Sequence, residues 1–513
     1  MKIRIPVLIA FFMVSVFVFA QKEEEAREFA TTITVEDLHN HLSIIASDAL
    51  EGRETGERGQ KMAAAYIKAH FEKLGLTGPV ASDYGDGYYQ KVPLYTSRAG
   101  NSIIKAGDKE FLNFKEIIYL GNRISGGDKS SEVVFVGKGT EDELAGMDLK
   151  GKTLLVYTED GIRSTIRKVS TLAKERGAIA VVLTLKEDKN TWQTSIKAYQ
   201  RYLNGGRLSI NNPAESEDLF SFAVTNEVAS LLMNTSFEKL QKSVTDFKSG
   251  KKNALKKVDS GKFTFNTKQE VTIVNSENVL GFLEGTDKKD ELVIITAHYD
   301  HVGRDGKEIY NGADDDGSGT VSVLEIAEAF VKAREAGKGP RRSILFMTVT
   351  GEEKGLLGSD YYTRNPVFPL ESTVVDLNID MVGRIDPEHK GKGDYVYLVG
   401  SNRLSTELHE ISEKVNSTFT NLDLDYTYND ENHADRIYYR SDHWNFAKKK
   451  IPIIFYFNGV HEDYHKPTDT VDKIEFEALK KRAELVFFTA WVLANKEDRI
   501  VADKVEGTSI EIK

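Results

Sequence analysis

The sequence predicts an α/β fold: a mixed or parallel central sheet sandwiched by helices, with a smaller β-rich domain inserted into it. Three observations carry this. From about residue 270 onward, short apolar runs alternate with segments of helical period. Between about 97 and 268 that texture gives way to short β-like runs. The 513 residues are enough for two or three units of about 150 residues, each able to bury a core.

Taken in order, residues 1–20 read as an export signal. Lys2 and Arg4 give a basic start, Val7 to Ala20 are apolar, and Val18 and Ala20 fit a small-residue cleavage site, so Gln21 begins the mature chain. The apolar core is short for a membrane anchor, and no other stretch is apolar for about 18 residues. The expected location is therefore periplasmic or extracellular, with no membrane segment in the mature form. Residues 21–96 open the main domain. Leu38, Leu42, Ile45 and Ala46 recur at helical spacing, and Met62, Ala65, Tyr66, Ala69, Phe71 and Leu74 form a second amphipathic face that Gly75 ends. The glycine-containing loop between them, 50–59, follows no strand and reads as a turn rather than a phosphate cradle.

Residues 97–268 form the expected insert. Its β-like runs are Glu132 to Gly137, Thr153 to Tyr157 and Ala178 to Thr184, and a helix over about 164–176 makes a βαβ piece. The lysine-rich stretch from Lys239 to Lys257 reads as a solvated face or linker. Residues 269–497 are the main part of the large domain. Strands are expected at Leu292–Ala297, Ile344–Val349, Val374–Ile379, Tyr395–Val399 and Ile451–Phe457, with helices at Val321–Arg334 and Phe476–Ala494. A polar tail, 498–513, closes the chain.

Composition narrows the chemistry. With 68 basic and 79 acidic residues the net charge is −11, which argues against a nucleic-acid binder. The chain has no cysteine, which excludes thiolate nucleophiles, disulfides and thiolate-bound metal. Any metal site must draw on Asp, Glu and the 11 histidines.

Ligands in such sheets gather beyond the carboxyl ends of strands, and that is where the charged clusters fall. Leu292–Ala297 runs into His298-Tyr299-Asp300-His301, Ile344–Val349 leads to Glu352-Glu353, and Val374–Ile379 ends at Asp380. Ile451–Phe457 enters a loop with His461 and His465, and Gly312-Ala313-Asp314-Asp315-Asp316-Gly317-Ser318-Gly319 precedes a helix. Singly, a His-x-Asp is a surface pair, a Glu-Glu a solvated face and three aspartates a turn or cap. Their joint occurrence at strand ends points to two hydrolytic metal ions. Zinc takes imidazole nitrogen and carboxylate oxygen, and paired ions lie roughly 3.5–4 Å apart across a bridging carboxylate. In adjacent Glu352-Glu353, one carboxylate can bind metal while the other moves protons.

The chain resembles the secreted co-catalytic dizinc aminopeptidases, whose relatives include glutamate carboxypeptidases and glutaminyl cyclases. The motifs are His298-Tyr299-Asp300, the 312–319 loop, Gly351-Glu352-Glu353-Lys354-Gly355-Leu356-Leu357-Gly358-Ser359, Asn378-Ile379-Asp380-Met381, Arg440-Ser441-Asp442-His443 and Asp463-Tyr464-His465-x-x-x-Asp469-Thr470. Ala46-Ser47-Asp48-Ala49-Leu50-Glu51-Gly52-Arg53 belongs with them, and the likeness runs from about 35 to 495. The insert looks like a protease-associated domain, on Val134 to Gly137 and Gly151 to Val156.

The resemblance implies a zinc-peptidase fold and two zinc ions. His298 and Asp380 would bind one, Glu353 and His465 the other, and Asp315 would bridge them across a cis bond to Asp316. Glu352 would be the general base. Asp300 would orient His298 through its other ring nitrogen, and Tyr438 aligns with a tyrosine that helps hold the oxyanion. His301 and His461 are left between pocket lining and structural roles, while Asp314 and Asp316 are read as shaping the loop. Ser441-Asp442-His443 ties loops rather than forming a relay, since three adjacent residues do not make one. The leading function is removal of the N-terminal residue of peptides. The alternatives are a carboxypeptidase using Arg384, Arg436 or Arg440, then a glutaminyl cyclase, then a non-catalytic peptide-binding protein. No oligomeric state is implied.

Overall fold

The computed structural model describes residues 22–81, 87–186, 189–430 and 432–504. The proposed export signal and the end of the polar tail lie outside them. The chain forms two compact units: one takes residues up to Pro93 and from Asn275 onward, the other is Leu94–Val274.

The first unit is built on a mixed sheet. Its strands lie in the order Asp423–Asp425, Tyr395–Val399, Ile453–Phe457, Thr373–Ile379, Lys288–His298, Arg342–Val349, Gln269–Leu283 and Tyr89–Ala99. Four strands from Ile453–Phe457 to Arg342–Val349 are parallel, and Tyr395–Val399 and Gln269–Leu283 flank them antiparallel. The central runs are apolar at nearly every position because both faces are covered. Val293, Ile295, Ile344 and Phe346 pack on one side with the helices Val35–Ile45, Gly319–Glu335 and Phe476–Asn495. Leu292, Ile294, Leu345 and Met347 point the other way, toward Tyr362 of helix Leu357–Arg364 and Phe446 of helix His443–Ala447. This is the helix-sandwiched mixed sheet that the sequence predicts.

Parallel alignment places the site. His298 pairs with Val349, Thr296 with Asn378, and Ile379 with Tyr456. Four strands therefore deliver their carboxyl ends to one edge.

In the second unit the sheet order is Lys109–Leu112, Ile103–Ala106, Gly261–Asn266, Lys129–Phe135, Thr153–Thr158, Ala180–Leu185, Phe220–Val224 and Ile117–Tyr119. The four strands from Lys129–Phe135 to Phe220–Val224 are parallel, and helix Ile162–Glu175 crosses between two of them. The expected βαβ piece is present, and the three central strands are wholly buried because helices cover them. Within the lysine-rich stretch, Phe237–Lys248 is an amphipathic helix that buries Leu240 and Val244 and exposes Lys239, Lys242 and Lys248.

Candidate metal centre

His298 closes its strand with the ring buried. Its Nε2 lies 3.2 Å from Asp315 Oδ1, 3.6 Å from Asp380 Oδ1 and 3.8 Å from Glu352 Oε2. The other Asp315 oxygen, Oδ2, lies 3.0 Å from His465 Nε2, which is itself 3.1 Å from Glu353 Oε2. Asp315 thus offers one oxygen to each of two donor groups, His298 with Asp380 and His465 with Glu353. The structure brings together all the ligands named from the sequence, with Glu352 beside them.

The loop carrying Asp315 is shaped by its neighbours. Gly312 has φ 57°, and a Cβ there would meet Asp315 O at 2.3 Å and the His301 ring at 2.6 Å, so glycine is required. The Asp315–Asp316 peptide is cis. Asp316 sits close enough to His298 and Asp380 to join a metal cluster. Its oxygens, however, are spent on the backbone N–H groups of Gly319 (2.8 Å), Met381 (3.1 Å) and His298 (3.2 Å). Asp314 accepts from Gly383 N at 2.6 Å and faces His461 Nε2 at 3.2 Å. Asp469 Oδ2 accepts from both Asp314 N (3.0 Å) and Asp315 N (3.2 Å), which ties this loop to the segment carrying His465.

Asp300 lies where expected but works differently. His298 Nδ1 donates to the Asp300 main-chain carbonyl at 3.0 Å, while the carboxylate is 3.8 Å away. That carboxylate accepts instead from Thr55 Oγ1 at 2.7 Å and from Glu352 N at 3.1 Å, so it positions Glu352.

Burial pushes the Glu352 carboxyl well above the usual carboxylate range, against the opposing pull of His298. Burial also works against ionisation of Asp315, but bonds to His298 and His465 and the charge of His301 prevail and hold it well below that range. The arrangement fits a bound cation. Buried atoms without a hydrogen-bond partner include His298 Nε2, His465 Nε2, His301 Nδ1 and Nε2, Asp315 Oδ2 and Glu353 Oε1. Each such group costs about 1–3 kcal/mol if left unmet, and one or two cations between them would meet most at once. Imidazole and carboxylate without thiolate is a zinc-type donor set.

Tyr438 packs its ring in the core beneath the sheet, against Trp444 and under the Arg403 guanidinium at 4.7 Å. Tyr464, not singled out from the sequence, stacks on His465 with centroids 3.9 Å apart. Burial and then the charges of Asp315 and Glu353 push its phenol well above its ordinary pKa. Its place directly before His465 was the available signal. Ser441 accepts from Asn378, Asp442 from Ser359, and His443 bonds the Tyr438 carbonyl at 2.8 Å, so the three serve separate ties. Arg384 is held by Asp463 at 2.9 Å and faces Asp469 at 3.6 Å. Arg436 stacks on Tyr439, and exposed Arg440 reaches the Tyr464 hydroxyl at 3.4 Å.

The segment holding these residues has known counterparts. Residues 278–490 match Peptidase family M28. A probable leucine aminopeptidase of Arthroderma otae is 32% identical over 215 residues, covering 40% of this chain and 55% of that protein. A glutamate carboxypeptidase 2 homolog of Caenorhabditis elegans is 25% identical over 423 residues, covering 70% and 53%. The chain thus spans about half the length of these curated relatives. A solved aminopeptidase from Aneurinibacillus sp. strain AM-1 aligns over 94% of this chain and 98% of its own, at 20% identity and a TM-score of 0.48.

Proposed function

We propose that the chain is an exported zinc aminopeptidase that hydrolyses the N-terminal peptide bond of peptides. The observation that carries this reading is the split of the Glu352-Glu353 pair. Glu353 faces His465 and Asp315 with the metal donors, while Glu352 stands 3.8 Å from His298 with its backbone N–H anchored on Asp300. His298 and Asp380 would hold one zinc, His465 and Glu353 the other, and Asp315 would bridge them. Bound zinc would polarise a carbonyl and acidify water.

The chain's own groups do the rest. Glu352 takes a proton from the attacking water and returns it to the leaving amine nitrogen as the carbon–nitrogen bond breaks. Tyr464, in place of Tyr438, donates to the developing oxyanion. The substrate ammonium lies against the carboxylates of Glu352 and Asp380. The reading of 97–268 as a protease-associated domain and of residues 1–20 as an export signal belong to the same proposal. The M28 match of residues 278–490 and the names of the relatives support it.

The second reading is a carboxypeptidase. Arg440 favours it, as an exposed guanidinium beside Tyr464 that suits a substrate carboxylate. One panel separates the two: aminoacyl chromogenic substrates, their N-acetylated forms, and N-blocked peptides with a free C-terminus. Cleavage of free-amine substrates alone supports the aminopeptidase. Cleavage of N-blocked peptides replaces it with the carboxypeptidase. No cleavage by zinc-loaded protein removes both.

A further inference from the structure

The donor group around Glu353 contains one imidazole beyond the expected ligands. His301 is fully buried, and its Nδ1 lies 2.9 Å from Glu353 Oε1 and 3.8 Å from Asp315 Oδ2. The shorter distance is within hydrogen-bond range, yet Nδ1 and Oε1 both lack a hydrogen-bond partner. His298 Nε2 and His465 Nε2 behave alike, each 3.0–3.2 Å from an Asp315 oxygen without a hydrogen bond from that nitrogen. Donor atoms aimed at a common point between them, rather than at one another, produce this pattern. Bonds of about 2.0–2.1 Å in a tetrahedral site put neighbouring ligand atoms roughly 3.3 Å apart, and the two His301 distances fall on either side of that.

The ring is fixed in this place. The backbone of Gly312 packs on it so closely that an added Cβ would sit 2.6 Å from Cγ and Cδ2. The His301 main-chain N–H is tied to the Arg53 carbonyl at 3.2 Å. The His465 ring lies 5.7 Å away, centroid to centroid, near enough for both imidazoles to serve one ion.

We propose that His301 is a metal ligand through Nδ1, making a four-donor set with His465, Glu353 and Asp315. The inference rests on the metallopeptidase reading. It makes the two sites unequal: one offers two imidazoles and two carboxylates, the other His298 with Asp380 and the shared Asp315. The two-imidazole site fills first and releases its ion last.

Zinc binding tests this without reference to activity. Metal-stripped wild type and His301→Ala are titrated with zinc against a chromophoric chelator, with thermal unfolding to verify the fold. Wild type should bind in two steps, and His301→Ala should lose the tighter step by more than ~100-fold, beyond what a residue acting only through a ligand gives, while the weaker step persists. Two unchanged steps in a folded variant overturn the inference and leave the metallopeptidase reading intact. Absence of zinc binding by wild type overturns both. If the variant does not fold, zinc-edge X-ray absorption on wild type loaded with one equivalent decides: two imidazoles per zinc is the expected result, one overturns the proposal.

Discussion

At the scale of single residues, Glu352 and Arg53 show how differently two ionisable groups are used. In the proposed centre Glu352 is the carboxylate not assigned to zinc, so Glu352→Gln should lower kcat by ~10²–10⁴-fold with zinc content unchanged. Parallel kinetics and metal analysis check this, and a variant at wild-type rate would remove Glu352 from the chemistry. Arg53 is wholly buried. Its guanidinium donates to the carbonyls of Tyr299 (2.8 Å), Ile45 (2.7 Å), Asn311 (2.7 Å) and Gly312 (2.9 Å). It clamps the segment after His298 to the loop before Asp315. Arg53→Met strands four acceptors and should cost more than ~3 kcal/mol, measured by denaturant unfolding; a loss under ~1 kcal/mol would mean that the clamp is dispensable. The sequence shows Arg53 only as a member of a motif. Its partners lie up to 259 positions away, and no local pattern reveals them.

At the scale of elements, the centre depends on two loops joined by Asp469. Asp469 has no part in the proposed ligand set, yet it receives the N–H groups of both Asp314 and Asp315. Asp469→Ala should therefore weaken zinc binding by ~10–100-fold, read by chelator competition, while the global unfolding midpoint moves little. Affinity equal to wild type would show that the Asp315 loop holds itself. The strand runs of this unit were legible because apolar periodicity is local and parallel core strands are apolar on both faces. The candidate donors were legible because most of their clusters lie shortly beyond such a run, and the Asp314–Asp316 cluster opens a helix. The bond between the His298 ring and the Asp300 carbonyl was not, since a sequence names side chains and this contact is to main chain. In the second unit the βαβ piece was legible, but the parallel partners on either side of it were not. Short buried strands look alike whichever way their neighbours run.

At the scale of the whole molecule, imidazoles buried as neutral groups contribute a loss of stability in acid. Burial, helped by His41, lowers His70 to about 4, and burial lowers His443 to about 3. Both are neutral in the folded state at pH 7, whereas in the unfolded chain they take up protons near 6.5. Between pH 6.5 and about 4 these two groups bind more protons in the unfolded chain, so their contribution to stability falls as pH falls. His70→Gln should flatten this limb by about 3 kcal/mol at full extent. Urea unfolding of metal-stripped protein across this range tests it; parallel limbs for variant and wild type would show that His70 is not the group responsible.

The central claim, that carboxylates and imidazoles at four strand ends form a hydrolytic dizinc centre, meets its most direct test in a stoichiometric zinc titration. Metal-stripped protein is assayed at each addition with a free-amine aminoacyl anilide, and Glu352→Gln is run in parallel. The account predicts no activity before zinc, a plateau at two ions per chain, and silence in the variant. Activity that survives stripping, or a fully loaded wild type that leaves the substrate intact, would contradict it.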